Sequence, residues 1–281
     1  MSETTATKDG RSTTGAPGAS GPHRTLRTVL LTVGSILIAA ALVAGGVQFA
    51  QASTGEDASG VYPIADSFRT LDVDSDAATV TVRYDDVDEA VLDFDSGDRP
   101  LRFDHRVRGD TLEVEVRNRG WWIFGALGGG GSAHLDITLP ESFAPLDVSV
   151  ESSAGTIDLA GEFGAVELDS SAGNIELAGS ATSLVAESSA GEVTALDLEV
   201  SGSVEVESSA GNTSLSFATL PRSIRMESSA GSIRVALPDG RYDIRTEVSA
   251  GSIDNTLPNT PGADRVYEFE TSAGSITLEK R

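Results

Sequence analysis

Residues 150–161 read VESSAGTIDLAG, and close variants of this run return down the rest of the chain. The Ala-Gly pairs end at Gly155, Gly173, Gly191, Gly211, Gly231, Gly251 and Gly274, in steps of 18, 18, 20, 20, 20 and 23 residues. A period near twenty held over seven copies is the signature of a solenoid, in which a unit buries its apolar side only by stacking on the next. Each unit has the form apolar-x-apolar-acid-Ser-Ser-Ala-Gly-x-apolar-x-apolar, followed by a short loop.

Alternation assigns the faces. Val204, Val206, Ser208 and Ala210 fall on one side of a strand, and Glu205, Glu207 and Ser209 on the other. After the glycine the apolar phase slips by one, as at Gly173, where Ile175 and Leu177 follow Ala172. Such a slip is what a corner between two strands produces. SSAG is therefore read as the corner of a coil, with inward Ser and Ala kept small by a tight bend. Coils about 4.8 Å apart would then build parallel sheets with ladders of like residues. Antiparallel hairpins of a sandwich or propeller are the alternative, but propeller blades need about 40 residues and hairpins favour Asn-Gly or Asp-Gly turns.

Upstream, from Phe68 to Pro140, short alternating runs such as TVTVRY, TLEVEV and HLDITLP signal further strands. The expected fold is all-β, a β-solenoid resembling a single-stranded right-handed β-helix over 65–281. Irregular coils fill 65–140 and the SSAG repeats fill 141–281. The chain end, SITLEKR, sets Glu279, Lys280 and Arg281 where an open sheet edge is expected, which argues against end-to-end polymers.

Residues 1–24 are rich in Ser, Thr, Gly and Pro and read as a disordered cytoplasmic tail. No charge occurs between Arg27 and Glu56, and Val29 to Ala50 is almost continuously apolar. That is about the ~20 residues a helix needs to cross a bilayer, so 25–50 is read as a transmembrane helix and 51–64 as a linker. Arg24 and Arg27 before it place the N-terminus in the cytoplasm and the body outside, in a single-pass topology. A cleaved signal peptide ending at the Ala50-Gln51-Ala52 pattern is the competing reading.

The formal net charge is −23, and residues after Arg27 hold 16 bases against 41 acids. A body this acidic repels phosphate backbones, so nucleic acid is not an expected partner, whereas cations, basic polymers or basic proteins are favoured. There is no cysteine, hence no disulfide framework and no thiolate chemistry.

The positively flanked apolar segment, the strand-rich spacer, the strand DITLP and the tandem SSAG-x-I-x-L units together resemble a bacterial β-strand-repeat family of unknown function, grouped with candidate adhesins and the toastrack domains. The resemblance covers residues 65–281. It implies a single-stranded β-helix, often membrane-anchored and associated with envelope stress or signalling. The family has no established catalytic or ligand residues to carry over.

Three constellations are candidates for chemistry. The acids before each Ser-Ser or its variant, Glu151, Asp169, Glu187, Glu207, Glu227, Glu247 and Glu270, are expected as an outward column. Like charges opposite one another in a sheet repel. Solvent, arginines such as Arg225 and Arg245, or a bound Ca²⁺ would relieve them. Second, Trp121, Trp122, Ile123 and Phe124 beside a glycine run are read as a contact patch or as a flap over the solenoid. Third, Asp72, Asp74 and Asp76 imitate an EF-hand start, but Ala77 and Arg83 stand where its glycine and glutamate belong. The serines lack a general base, since His23, His105 and His134 all lie outside the repeats. No enzyme is expected, and no cofactor other than Ca²⁺. The expected function is a membrane-tethered scaffold or interaction module, an adhesin or envelope-stress accessory. A polysaccharide-acting β-helix enzyme or a cleaved secreted protein is the alternative, and a cleft of convergent acids with a base would mark the enzyme.

Overall fold

The structure, a computed structural model, describes residues 59–119 and 132–281. The expected tail, the transmembrane segment 25–50 and the Trp121–Phe124 patch lie outside the described residues. Among those described, no helix is long and apolar enough to cross a membrane. The unit from Glu56 to Arg281 is all-β, with seventeen strands and a single short 3-10 turn at Glu141–Phe143 among its described elements.

The strands are β1 (Gly60–Ile64), β2 (Thr70–Ser75), β3 (Ala78–Asp85), β4 (Ala90–Asp95), β5 (Leu101–Arg108) and β6 (Thr111–Asn118). They continue with β7 (Ala133–Pro140), β8 (Leu146–Ser152), β9 (Ile157–Ser170), β10 (Ile175–Ala190), β11 (Val193–Val200) and β12 (Ser203–Ala210). The last five are β13 (Thr213–Phe217), β14 (Ser223–Ala230), β15 (Ile233–Leu237), β16 (Asp243–Asn255) and β17 (Val266–Lys280). The first strand begins at Gly60, inside the stretch expected as linker.

Pairing resolves these strands into two parallel ladders that meet at the Ala-Gly corner. One ladder holds the strand before each corner, in the spatial order β6, β2, β8, second half of β9, second half of β10, β12, β14, first half of β17, first half of β16. The other holds the strand after it, in the order β7, β3, β9, β10, β11, β13, β15, β17, β16. Nine coils therefore stack, and the expected solenoid is present. At the N-terminal end antiparallel strands close the stack: β5 on β6, and β4 then β1 on β7.

The corners align along one axis. Along the stack Gly155, Gly173, Gly191, Gly211, Gly231, Gly274, Gly251, a methyl built on any glycine after the first would strike the carbonyl of the one before it, and a methyl on Gly155 would strike the carbonyl of Ala78. At Gly211 φ is +137°, a backbone state that side chains with a Cβ rarely adopt. The repeat keeps glycine there for two reasons at once, the bend within a coil and the closeness of the next coil.

Inside the bend runs a file of buried hydroxyls: Ser75, Ser152, Ser170, Ser188, Ser208, Ser228 and Thr271. The larger Val116 and Val248 occupy the same position in the two outermost coils. The alanine of SSAG was expected to point inward, but Ala154, Ala190, Ala210 and Ala230 are exposed. Alternation thus breaks one residue before the glycine, because the chain has already begun to turn. Beyond the corner it resumes, and Ile157, Ile175, Val193, Ile233 and Ile276 are all buried in one continuous core.

Coil order departs from chain order at both ends. Strand β2 lies between β6 and β8, and β17 lies between β14 and β16. The open C-terminal edge is therefore β16. The charges Glu279, Lys280 and Arg281 do not guard it, since β17 is paired on both sides.

Candidate functional site

The outward face of the ladder before the corner carries the expected acids in strict register. The column reads Glu115, Asp74, Glu151, Asp169, Glu187, Glu207, Glu227, Glu270, Glu247. The structure brings together all seven sequence-predicted carboxylates, adds Glu115 and Asp74, and exchanges the order of the last two. Those two additions precede Val116 and Ser75 at the corner position, outside any SSAG match. Their alternating strand pattern was the available signal.

Two residues earlier on each strand runs a second outward column: Glu113, Asp72, Ser149, Glu167, Val185, Glu205, Arg225, Glu268, Arg245. The two differ in how charge is balanced along the axis. Near the C-terminal end, Arg225 pairs with Glu227 and, at 3.1 Å, with Glu268, while Arg245 reaches Glu268 at 2.8 Å. Near the N-terminal end, Arg117 reaches Asp74 at 2.5 Å and Asp76 at 3.6 Å, and Arg106 reaches Glu113 at 2.5 Å and Glu115 at 3.5 Å.

Between them the charge of the chain is almost wholly acidic. Residues 120–221 contain 15 acids and neither lysine nor arginine. Several carboxylates of the file have raised proton affinity, with burial the largest cause. Burial against neighbouring strands, then the carboxylates Glu207 and Asp169, hold Glu187 above its ordinary range. Burial, then Asp74 and Asp169, does the same for Glu151, and burial alone for Asp169. Asp72 is raised by burial and then by Glu113, and Asp74 by burial in spite of Arg117. At a rung spacing of about 4.8 Å, two unit charges repel by roughly 0.9 kcal/mol even at the dielectric of water.

The Ca²⁺ reading fares differently from the column itself. Among the described residues, no group of three or more His, Asp or Glu side chains converges to hold a metal ion. The acids stand in file along flat strands, one coil apart, and do not close around a point. Asp72 and Asp74 alternate on β2, as the failed EF-hand match implied. His105 packs its ring near Phe103 and Tyr62 at the N-terminal end, where burial lowers its pKa.

The family model described as Toastrack DUF4097 matches residues 68–281. No curated protein matches the chain. Among solved structures, a candidate adhesin from Parabacteroides merdae is 10% identical with a TM-score of 0.44, covering 81% of this chain and 98% of that one. A candidate adhesin from Bacteroides fragilis is 13% identical with a TM-score of 0.40, covering 81% and 100%. A candidate cell adhesion protein from Clostridium sporogenes is 12% identical with a TM-score of 0.36, covering 79% and 98%.

Proposed function

We propose, from the premise that this chain belongs to the Toastrack DUF4097 family, that it is a membrane-tethered extracytoplasmic scaffold presenting an acidic, ladder-like face to basic partners. The observation that carries this reading is the register itself: nine coils hold nine carboxylates in one line, with an arginine-free stretch in the middle. A flat, repeating face matches extended cationic polymers or basic protein segments better than a small substrate, which needs a concave site. The proposal includes right-handed winding of the coils, a single-pass helix at 25–50, a cytoplasmic N-terminus and an adhesive or envelope-stress role.

Two measurements test it on the full chain. With a C-terminal tag in a bacterial host, the protein is expected in the membrane fraction, with the tag removed by protease added to intact cells. The purified chain is then expected to bind polylysine, and a variant carrying Glu151→Gln, Asp169→Asn, Glu187→Gln and Glu207→Gln to bind it more weakly. A soluble, protease-protected protein would overturn the tether. Equal binding by the variant would overturn the role of the acidic face.

A further inference from the structure

Every other strand of the C-terminal repeats is paired on both sides, but β16 pairs only with β17 among the described residues. Among the described residues, hydrogen bonds meet its outer edge at Tyr242 and Ile244. Asn259 imitates a neighbouring strand there, its Oδ1 accepting from the Ile244 N–H at 2.9 Å and its Nδ2 donating to the Ile244 carbonyl at 3.2 Å. The Thr260 N–H similarly donates to the Tyr242 carbonyl at 2.9 Å. From Arg245 to Asn255 no described strand pairs with that edge. Ile253 stands at the register position that is buried in every other coil, where Ile276 is 0% exposed, yet it is 45% exposed itself.

We propose that this end is a self-association surface, at which β16 of a second copy adds across a two-fold axis through the Ala250–Gly251 corner. Three observations select that occupant. A strand covering both arms of β16 must itself bend over the corner, and a second copy carries the glycine that makes this bend, with φ +149° at Gly251. A two-fold axis along the corner exchanges the two arms, so each half of the edge meets the other half and the assembly closes as a dimer. Charge also permits it. Residues 222–281 hold eight bases against nine acids, so the end is nearly neutral while the middle of the stack repels its own copy.

Side-chain parity, with the two-fold axis at the corner, sets the register. Inward residues must face inward residues, which sets Val248 against Ile253 of the second copy and Thr246 against its Asn255, with the axis between Ala250 and Gly251. On the outer face the same register sets Glu247 against Asp254 of the second copy. The dimer therefore tightens as salt screens that pair.

The test uses the full chain in detergent micelles, by sedimentation across a micromolar concentration series. The wild type is expected to dimerise reversibly and more tightly at higher salt. Ile253→Lys, with an inward charge on the edge, is expected to weaken dimerisation about tenfold or more. An unchanged melting temperature separates this effect from unfolding, since Ile253 is already half-exposed. Because the chain has no cysteine, Ala250→Cys is expected to cross-link with itself on mild oxidation, and Asp88→Cys, near the other end of the stack, is not. A monomer at all concentrations overturns the proposal. So does a dimer that ignores Ile253→Lys, as one formed through the apolar segment 25–50 would, and so do open-ended polymers.

Discussion

Replacing the corner glycine at 211 by alanine is the most direct probe of the stack. A methyl on Gly211 falls on the carbonyl of Gly191, 2.9 Å from its carbon and closer still to its oxygen. Carbon atoms rest at about 3.5–4.0 Å from one another. The coils must therefore separate locally by roughly an ångström, or the corner must twist, and overpacking of this kind costs about 1–3 kcal/mol. The residue must also hold φ near +137°, which adds about 1–3 kcal/mol for a residue with a Cβ. Together the loss is about 2–6 kcal/mol, a large part of an ordinary domain's stability. For a unit of this length each kcal/mol shifts Tm by roughly 2–4 °C, so a fall of about 4–24 °C is expected in thermal unfolding followed by circular dichroism. Gly109→Ala is the control: its φ is +60°, but nothing lies within 4 Å of the added methyl. It should suffer only the backbone strain. If Gly211→Ala lost no more than Gly109→Ala, glycine-on-glycine contact between coils would not be what holds the register.

The remaining predictions concern the two faces of the same strands. Asp72, Asp74, Glu151, Asp169 and Glu187 all have raised proton affinity in the fold, with burial the largest cause. The folded state therefore binds more protons than the unfolded one just above the ordinary carboxylate range. Stability should rise as pH falls from about 7 toward about 5, and a Tm falling steadily over that range would refute this. In the hydroxyl file, the Ser75 Oγ accepts from the Ala78 N–H at 3.0 Å, whereas the buried Ser208 Oγ has no partner among the described residues. Ser75→Ala should lose about 1 kcal/mol while Ser208→Ala holds or gains stability in urea melts, and equal losses would contradict it. Arg225→Gln leaves Glu227 and Glu268 without its charge. Because these groups are partly exposed, the loss should stay below about 1 kcal/mol and shrink in high salt, and a salt-independent loss would point to packing instead.

Much of this architecture is legible because the repeat is constrained at the corner. Glycine spacing locates seven of the nine coils, and strand alternation places Val204, Val206 and Ser208 inside and Glu205 and Glu207 outside, as observed. Two things were hidden. Alternation says nothing about where a turn starts, so the outward alanines could be found only from the backbone. Stacking order is also not written in spacing, since EVSAGSI and ETSAGSI would each fit on β14. A usable signal lay in the inward residues. Strand β17 offers Tyr267, Phe269, Thr271, Ile276 and Leu278, all buried, while β16 offers Ile244, Thr246, Val248, Ile253 and Asn255 at the same register positions. The more apolar set belongs between two coils and the more polar set at an end.

That exchange also decides which coil stands at the C-terminal side of the stack. If coils followed chain order, the apolar β17 strand would form the open end and its core side would face water. Inserting it beneath β16 buries Tyr267, whose O–H donates to the Pro221 carbonyl at 2.8 Å, with its ring against Tyr242. The ten-residue connection from β16 to β17 then has to cross the end of the stack to bring the chain back, and that crossing places Asn259 and Thr260 on the edge at Ile244 and Tyr242. One topological step thus buries the stronger strand and covers part of the weaker one. What it leaves open, from Arg245 to Asn255, is the length that a returning loop tied to β17 does not cover. The incompleteness of the cap follows from the same connection that makes the cap, which is why the open edge is a property of the fold and why a second copy of that edge is the complement it lacks.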